Sequence, residues 1–124
     1  MRKLIVLALI AAMAAVPGVA AAQVTKGSNG GAVAKSDGHS IEFVRSGLDI
    51  IFYVSDHDGS PLPTKELKGR ATIQDAGKTV TVPLTPATPN RMSGKLQAEL
   101  SSKAIIVFSG NVHGHSLTAR YTAE

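Results

Sequence analysis

Half of the histidines in this chain sit in one six-residue stretch, Asn111-Val112-His113-Gly114-His115-Ser116. On an extended strand, residues i and i+2 point to the same side about 6.5–7 Å apart. Two imidazoles so placed can grip one metal ion, with further ligands from a neighbouring strand. The same stretch also reads as a hairpin turn, because Gly114 lies between the apolar runs Lys103–Gly110 and Leu117–Tyr121. The turn is the primary expectation, and metal binding through His113 and His115 is the function it would carry. His39 is the third candidate ligand. It follows the Asp37-Gly38 turn and shares parity with Ile41 and Phe43, at the mouth of the inward-facing row. Its bland reading is a half-exposed histidine at a strand start.

Asp56-His57-Asp58-Gly59 has the look of a calcium loop but lacks the alternating oxygen ligands and closing glutamate over twelve residues; Ser60-Pro61-Leu62-Pro63 follows instead. It is read as a plain β-turn rather than a site. Covalent chemistry has no foothold. There is no cysteine and no Gly-x-Ser-x-Gly elbow, and Glu42 and Glu99 fall in alternating runs where an outward, solvated carboxylate is the ordinary role. Of three methionines only Met92 lies beyond the leader, which removes a methionine-rich copper(I) site.

The elements that must position these groups have period two. Ile41 and Phe43, then Leu48, Ile50, Phe52 and Val54, then Ala71 and Ile73, then Val80, Val82 and Leu84 alternate with polar neighbours; so do Leu96, Ala98 and Leu100, and finally Leu117, Ala119 and Tyr121. Ala104 to Phe108 is apolar on both faces, as a central strand is. Asp37-Gly38, Ser46-Gly47, Asp58-Gly59 and Ala76-Gly77 punctuate the runs with turn residues. Pro61, Pro63, Pro86 and Pro89 fall in connections, while Pro83 interrupts a run and marks an edge strand or a strand end. No capped helical period of ten residues occurs. Seven or eight short strands over about 100 residues predict an all-β fold, an antiparallel immunoglobulin-like β-sandwich, with a small β-barrel as the alternative.

Upstream, Arg2 and Lys3 precede a 13-residue apolar run, Leu4 to Val16, then Pro17-Gly18 and Ala20-Ala21-Ala22. Residues 1–22 therefore read as a signal peptide cleaved before Gln23, too short to be a membrane span of about 20 residues. Residues 23–31 form a polar, glycine-rich flexible lead-in, and 32–124 the β-sandwich domain. Without Arg2 and Lys3 the chain carries 11 basic and 9 acidic side chains, scattered along its length, with five aromatics and no Trp. Neither a phosphate-neutralising cluster nor a base-stacking platform is present, so nucleic acid is not an expected partner. An exported domain without disulfides must be held together by packing alone.

Three segments carry a resemblance: Gly30-Gly31-Ala32-Val33, Asp37-Gly38-His39-Ser40-Ile41-Glu42-Phe43, and Phe52 through Leu62. Val82-Pro83-Leu84-Thr85-Pro86 and His113 through Tyr121 continue it. In this order they resemble the β-rich N-terminal domain of periplasmic adaptor subunits of heavy-metal efflux pumps of the resistance-nodulation-division type, and related small stand-alone exported proteins of proteobacteria. The resemblance spans about residues 30–123 and rests on motif order more than on any single motif. It implies a periplasmic module that handles a transition metal such as copper or zinc, in association with a metal-efflux pump or another envelope protein. Members often carry His-Gly-Gly where this chain has Asn29-Gly30-Gly31, so ligation here would fall to His39, His113 and His115. The expectation is a periplasmic, non-catalytic metal-binding or metal-efflux accessory module, not inserted in the membrane after signal cleavage. The alternative is an immunoglobulin-like interaction module of the cell envelope that binds no metal.

Overall fold

The computed structural model describes residues 25–112 and 114–123. The expected signal peptide, the start of the lead-in and His113 lie outside the described residues. Nine strands follow one another: β1 (Thr25–Lys26), β2 (Ala32–Ser36), β3 (His39–Ser46), β4 (Asp49–Ser55), β5 (Lys68–Asp75), β6 (Lys78–Ala87), β7 (Arg91–Lys95), β8 (Ile105–Val112) and β9 (His115–Thr122). All pairings are antiparallel, in the single order β1-β2-β3-β4-β7-β6-β5-β8-β9, and no helix occurs among the described residues. The all-β antiparallel class is as expected. The strands form one continuous sheet curled on itself, which is the barrel-like alternative rather than two separate sheets.

β6 makes the curl. Its first part pairs with β5 as far as Leu84, and its last part, Thr85 to Ala87, pairs with β7. Pro83 sits just before this changeover, where β6 pairs with β5 alone and that pairing is about to end, so it lies at a locally unpaired edge as expected. Pro86 also lies within β6, opposite Met92, rather than in a connection.

Curling brings the inward rows of β3, β4, β5, β6, β8 and β9 face to face. Phe52 of β4 meets Phe108 of β8 with ring centroids 4.9 Å apart, and Phe43, Phe52 and Tyr121 form a further aromatic group. Ile41, Ile50, Val54, Ile106 and Leu117 are fully buried around them. Each such side chain contributes about 1.5–3 kcal/mol by leaving water. β9, at one end of the strand order, also meets β2 and β3 near the other. The Thr118 amide donates to Ser36 Oγ at 3.0 Å, and Tyr121 OH donates to the Ile41 carbonyl at 2.6 Å.

Two elements differ from the pattern read in the sequence. Leu96–Leu100 is not a strand: β7 ends at Lys95, and the chain crosses the open end of the core with Leu96 buried and its amide bonded to the Leu48 carbonyl at 2.7 Å. Glu42 is not an outward carboxylate. It is buried, and it accepts from the Asn29 amide at 3.0 Å, Asn29 Nδ2 at 3.1 Å and the Gly31 amide at 2.8 Å. The 27–31 loop closes over it, and β1 is thereby laid against β2.

Candidate metal site

The hairpins place the histidines. Asp37 and Gly38 both have positive φ, 48° and 78°, and make the two-residue turn between Ser36 and His39. That geometry matches the twist of the paired strands, and Gly38 adopts it without steric cost. β3 and β4 are joined by an equally tight turn, Gly47-Leu48, between the paired residues Ser46 and Asp49. The register that begins there runs unbroken to Ser40 opposite Ser55. One step further, it sets His39 level with Asp56, and two steps further Gly38 level with His57.

His39 is buried, with 6% of its surface exposed, which corrects the half-exposed reading. Its ring is fixed by a hydrogen bond from Nδ1 to the Asp37 carbonyl at 3.1 Å. A carbonyl only accepts, so this bond places a proton on Nδ1 and leaves Nε2 of the neutral ring as the free lone pair. An outer partner of this kind is what orients metal-binding histidines. Nε2 lies 3.8 Å from Asp56 Oδ1. The same oxygen lies 3.1 Å from His57 Nδ1 and accepts the His57 amide at 2.7 Å. The His39 and His57 rings stand edge to face, 4.7 Å between centroids, with His57 laid against Gly38.

One ligand atom from each of His39, Asp56 and His57 therefore falls within 4.8 Å of the others, and the group could hold a metal ion. Bonds of about 2.0–2.1 Å in a tetrahedral shell put ligand atoms about 3.4 Å apart. The group must tighten by roughly an ångström to reach that spacing. The rigid member is the buried His39. Asp56 and His57, with side chains 48% and 66% exposed, have the freedom to close on it.

The expected ligands thus separate. His39 belongs to the group. His115 does not: its Nδ1 pairs with Asp37 Oδ2 at 3.3 Å, on the other side of the turn whose carbonyl holds His39. The β8–β9 turn is present, with Val112 paired to His115 and Gly114 at φ 79°. Asp56 and His57, which the sequence presents as a plain turn rather than a site, are the other two members. Their stretch does form the expected turn, in which the Gly59 amide donates to the Asp56 carbonyl at 3.0 Å and Asp58 Oδ1 accepts the Ser60 amide at 2.9 Å. Those bonds from Ser60 hold the Asp58 carboxyl below its ordinary pKa. Being a turn does not exclude being a site, and the signal that could have found it was the register counted back from Gly47-Leu48.

Comparison of the chain with protein-family models, curated proteins and solved structures finds no match. Functional inference therefore starts from the side chains.

Proposed function

We propose that this protein is an exported, non-catalytic module of the periplasm that binds a divalent transition metal, copper(II) or zinc(II), through His39, Asp56 and His57. The observation that carries this reading is the buried His39 ring. It is fixed by the Asp37 carbonyl and turns Nε2 toward a carboxylate and a second imidazole. Two nitrogens and one oxygen form a borderline donor set, suited to zinc(II) and copper(II). They suit neither calcium, which takes oxygens, nor copper(I), which prefers sulfur. The apolar run at residues 4–16 supports export, and the motif order of residues 30–123 supports an accessory role beside a metal-efflux pump.

Isothermal titration of the exported chain with copper(II) and zinc(II) tests the proposal. One ion binds per chain, binding weakens in acid because the ligands must be neutral imidazoles, and His39→Ala with His57→Ala abolishes it. Full binding by that double variant refutes the site. Loss of binding only on His113→Ala with His115→Ala moves the site to the last hairpin.

A further inference from the structure

Resting on the metal-site reading above, we infer that the bound ion keeps a coordination position open to solvent, and that a nitrogen donor of the imidazole class from a second molecule enters there. The site is lopsided. His39 closes its inner side at 6% exposure, whereas the Asp56 and His57 side chains stand at the rim, 48% and 66% exposed. Among the described residues only these three offer ligand atoms close enough together. Two further carboxylates of these turns, Asp58 and Asp37, lie outside the group, each with one oxygen already committed. Asp58 Oδ1 accepts the Ser60 amide, and Asp37 Oδ2 holds His115 Nδ1.

Three protein ligands and a solvent molecule in the fourth position is the pattern of a reactive zinc site, while a structural site is closed by four. Entry of an outside nitrogen exchanges one ligand for another: a solvent molecule leaves as the nitrogen lone pair binds, with no change in the oxidation state of the metal. Neutral imidazole suits the borderline ions this donor set selects, so the incoming group would be a histidine side chain of a partner or a small imidazole.

The test uses the full exported chain loaded with one equivalent of copper(II) and titrated with imidazole. The expected result is a shift of the copper visible band and its paramagnetic resonance signal to a single new form, with copper retained by the protein on ultrafiltration. The copper spectrum before imidazole is added is expected to be unchanged in Asp58→Asn and His113→Ala. A spectrum indifferent to imidazole overturns the inference, as does copper carried off with the imidazole. A changed starting spectrum in either variant also overturns it, because that residue would then fill the position. Copper that fails to bind at all overturns the site itself, whereas binding without the imidazole step overturns only the open position.

Discussion

Gly38→Ala separates the backbone demand of the β2–β3 turn from its role beneath His57. A Cβ at position 38 would lie 2.6 Å from both Cδ2 and Nε2 of the His57 ring, closer than carbon atoms approach, so the exposed ring must swing away. Gly38 also has φ 78°, where an L-residue is strained by about 1–2 kcal/mol. Lower entropy of the unfolded chain returns about 0.4–1 kcal/mol. The net loss is about 1 kcal/mol, or about 4–8 °C in Tm for a domain of this size. Gly77→Ala is the matched control. Its φ is 76°, it sits in the β5–β6 turn, and nothing lies within 4 Å of the added methyl. Both variants should lose similar stability in thermal melts. Only Gly38→Ala should lose copper(II) affinity, by about tenfold or more, since even residues that merely orient a ligand are worth about 10–100-fold. Equal copper affinities for the two variants would refute the placement of His57 as a ligand.

Three further outcomes follow from the buried polar groups and the shifted pKa values. Glu42→Ala strands the Asn29 and Gly31 donors and should cost about 1–3 kcal/mol, with faster hydrogen exchange at both amides; unchanged exchange would mean that the loop is held by something else. Burial, with a smaller contribution from the charge of Glu42, pushes the Tyr121 phenol well above its ordinary value near 10. A raised folded pKa contributes stability that is complete below pH 10 and lost as pH rises beyond it. Alkaline melts of the wild type should therefore fall more steeply above pH 10 than those of Tyr121→Phe, and parallel curves would contradict the assignment. Hydrogen bonds from the Ser101 hydroxyl and amide hold the Asp75 carboxyl below its ordinary 3.8. Its contribution is present above that pH and fades as pH falls through the lowered value. The stability gap between wild type and Asp75→Asn should narrow below pH 3.8 in acid melts, and a constant gap would show that the Ser101 contact is not charge-assisted.

Period-two alternation was enough to read the class and most of the core. Ile41, Phe43, Ile50, Phe52, Val54, Leu117 and Tyr121 all lie in the core as their parity requires. Parity fails where a long-range neighbour decides. Val80 shares the parity of Val82 and Leu84 yet is 48% exposed, although its cross-strand partner Ile73 is buried. Leu96 is buried by a crossing segment that alternates by accident, with its amide committed to Leu48. Glu42 has outward parity, and only the loop folded over it makes it a buried acceptor.

The candidate site was half legible for a related reason. His39 could be placed by its own strand. Asp56 and His57 become its neighbours only through the register that the Gly47-Leu48 turn imposes eight or more residues away. A short local motif such as His113-Gly114-His115 draws the eye because its residues adjoin in sequence. The group the fold assembles joins residues 17 and 18 positions apart, across one hairpin.

The most direct test is copper(II) titration of the protein at neutral pH, wild type against His39→Ala, with thermal melts confirming that the variant folds. The account predicts one ion per wild-type chain and a loss of affinity in the variant far larger than any loss of stability. A folded His39→Ala protein that binds copper as tightly as the wild type would contradict it.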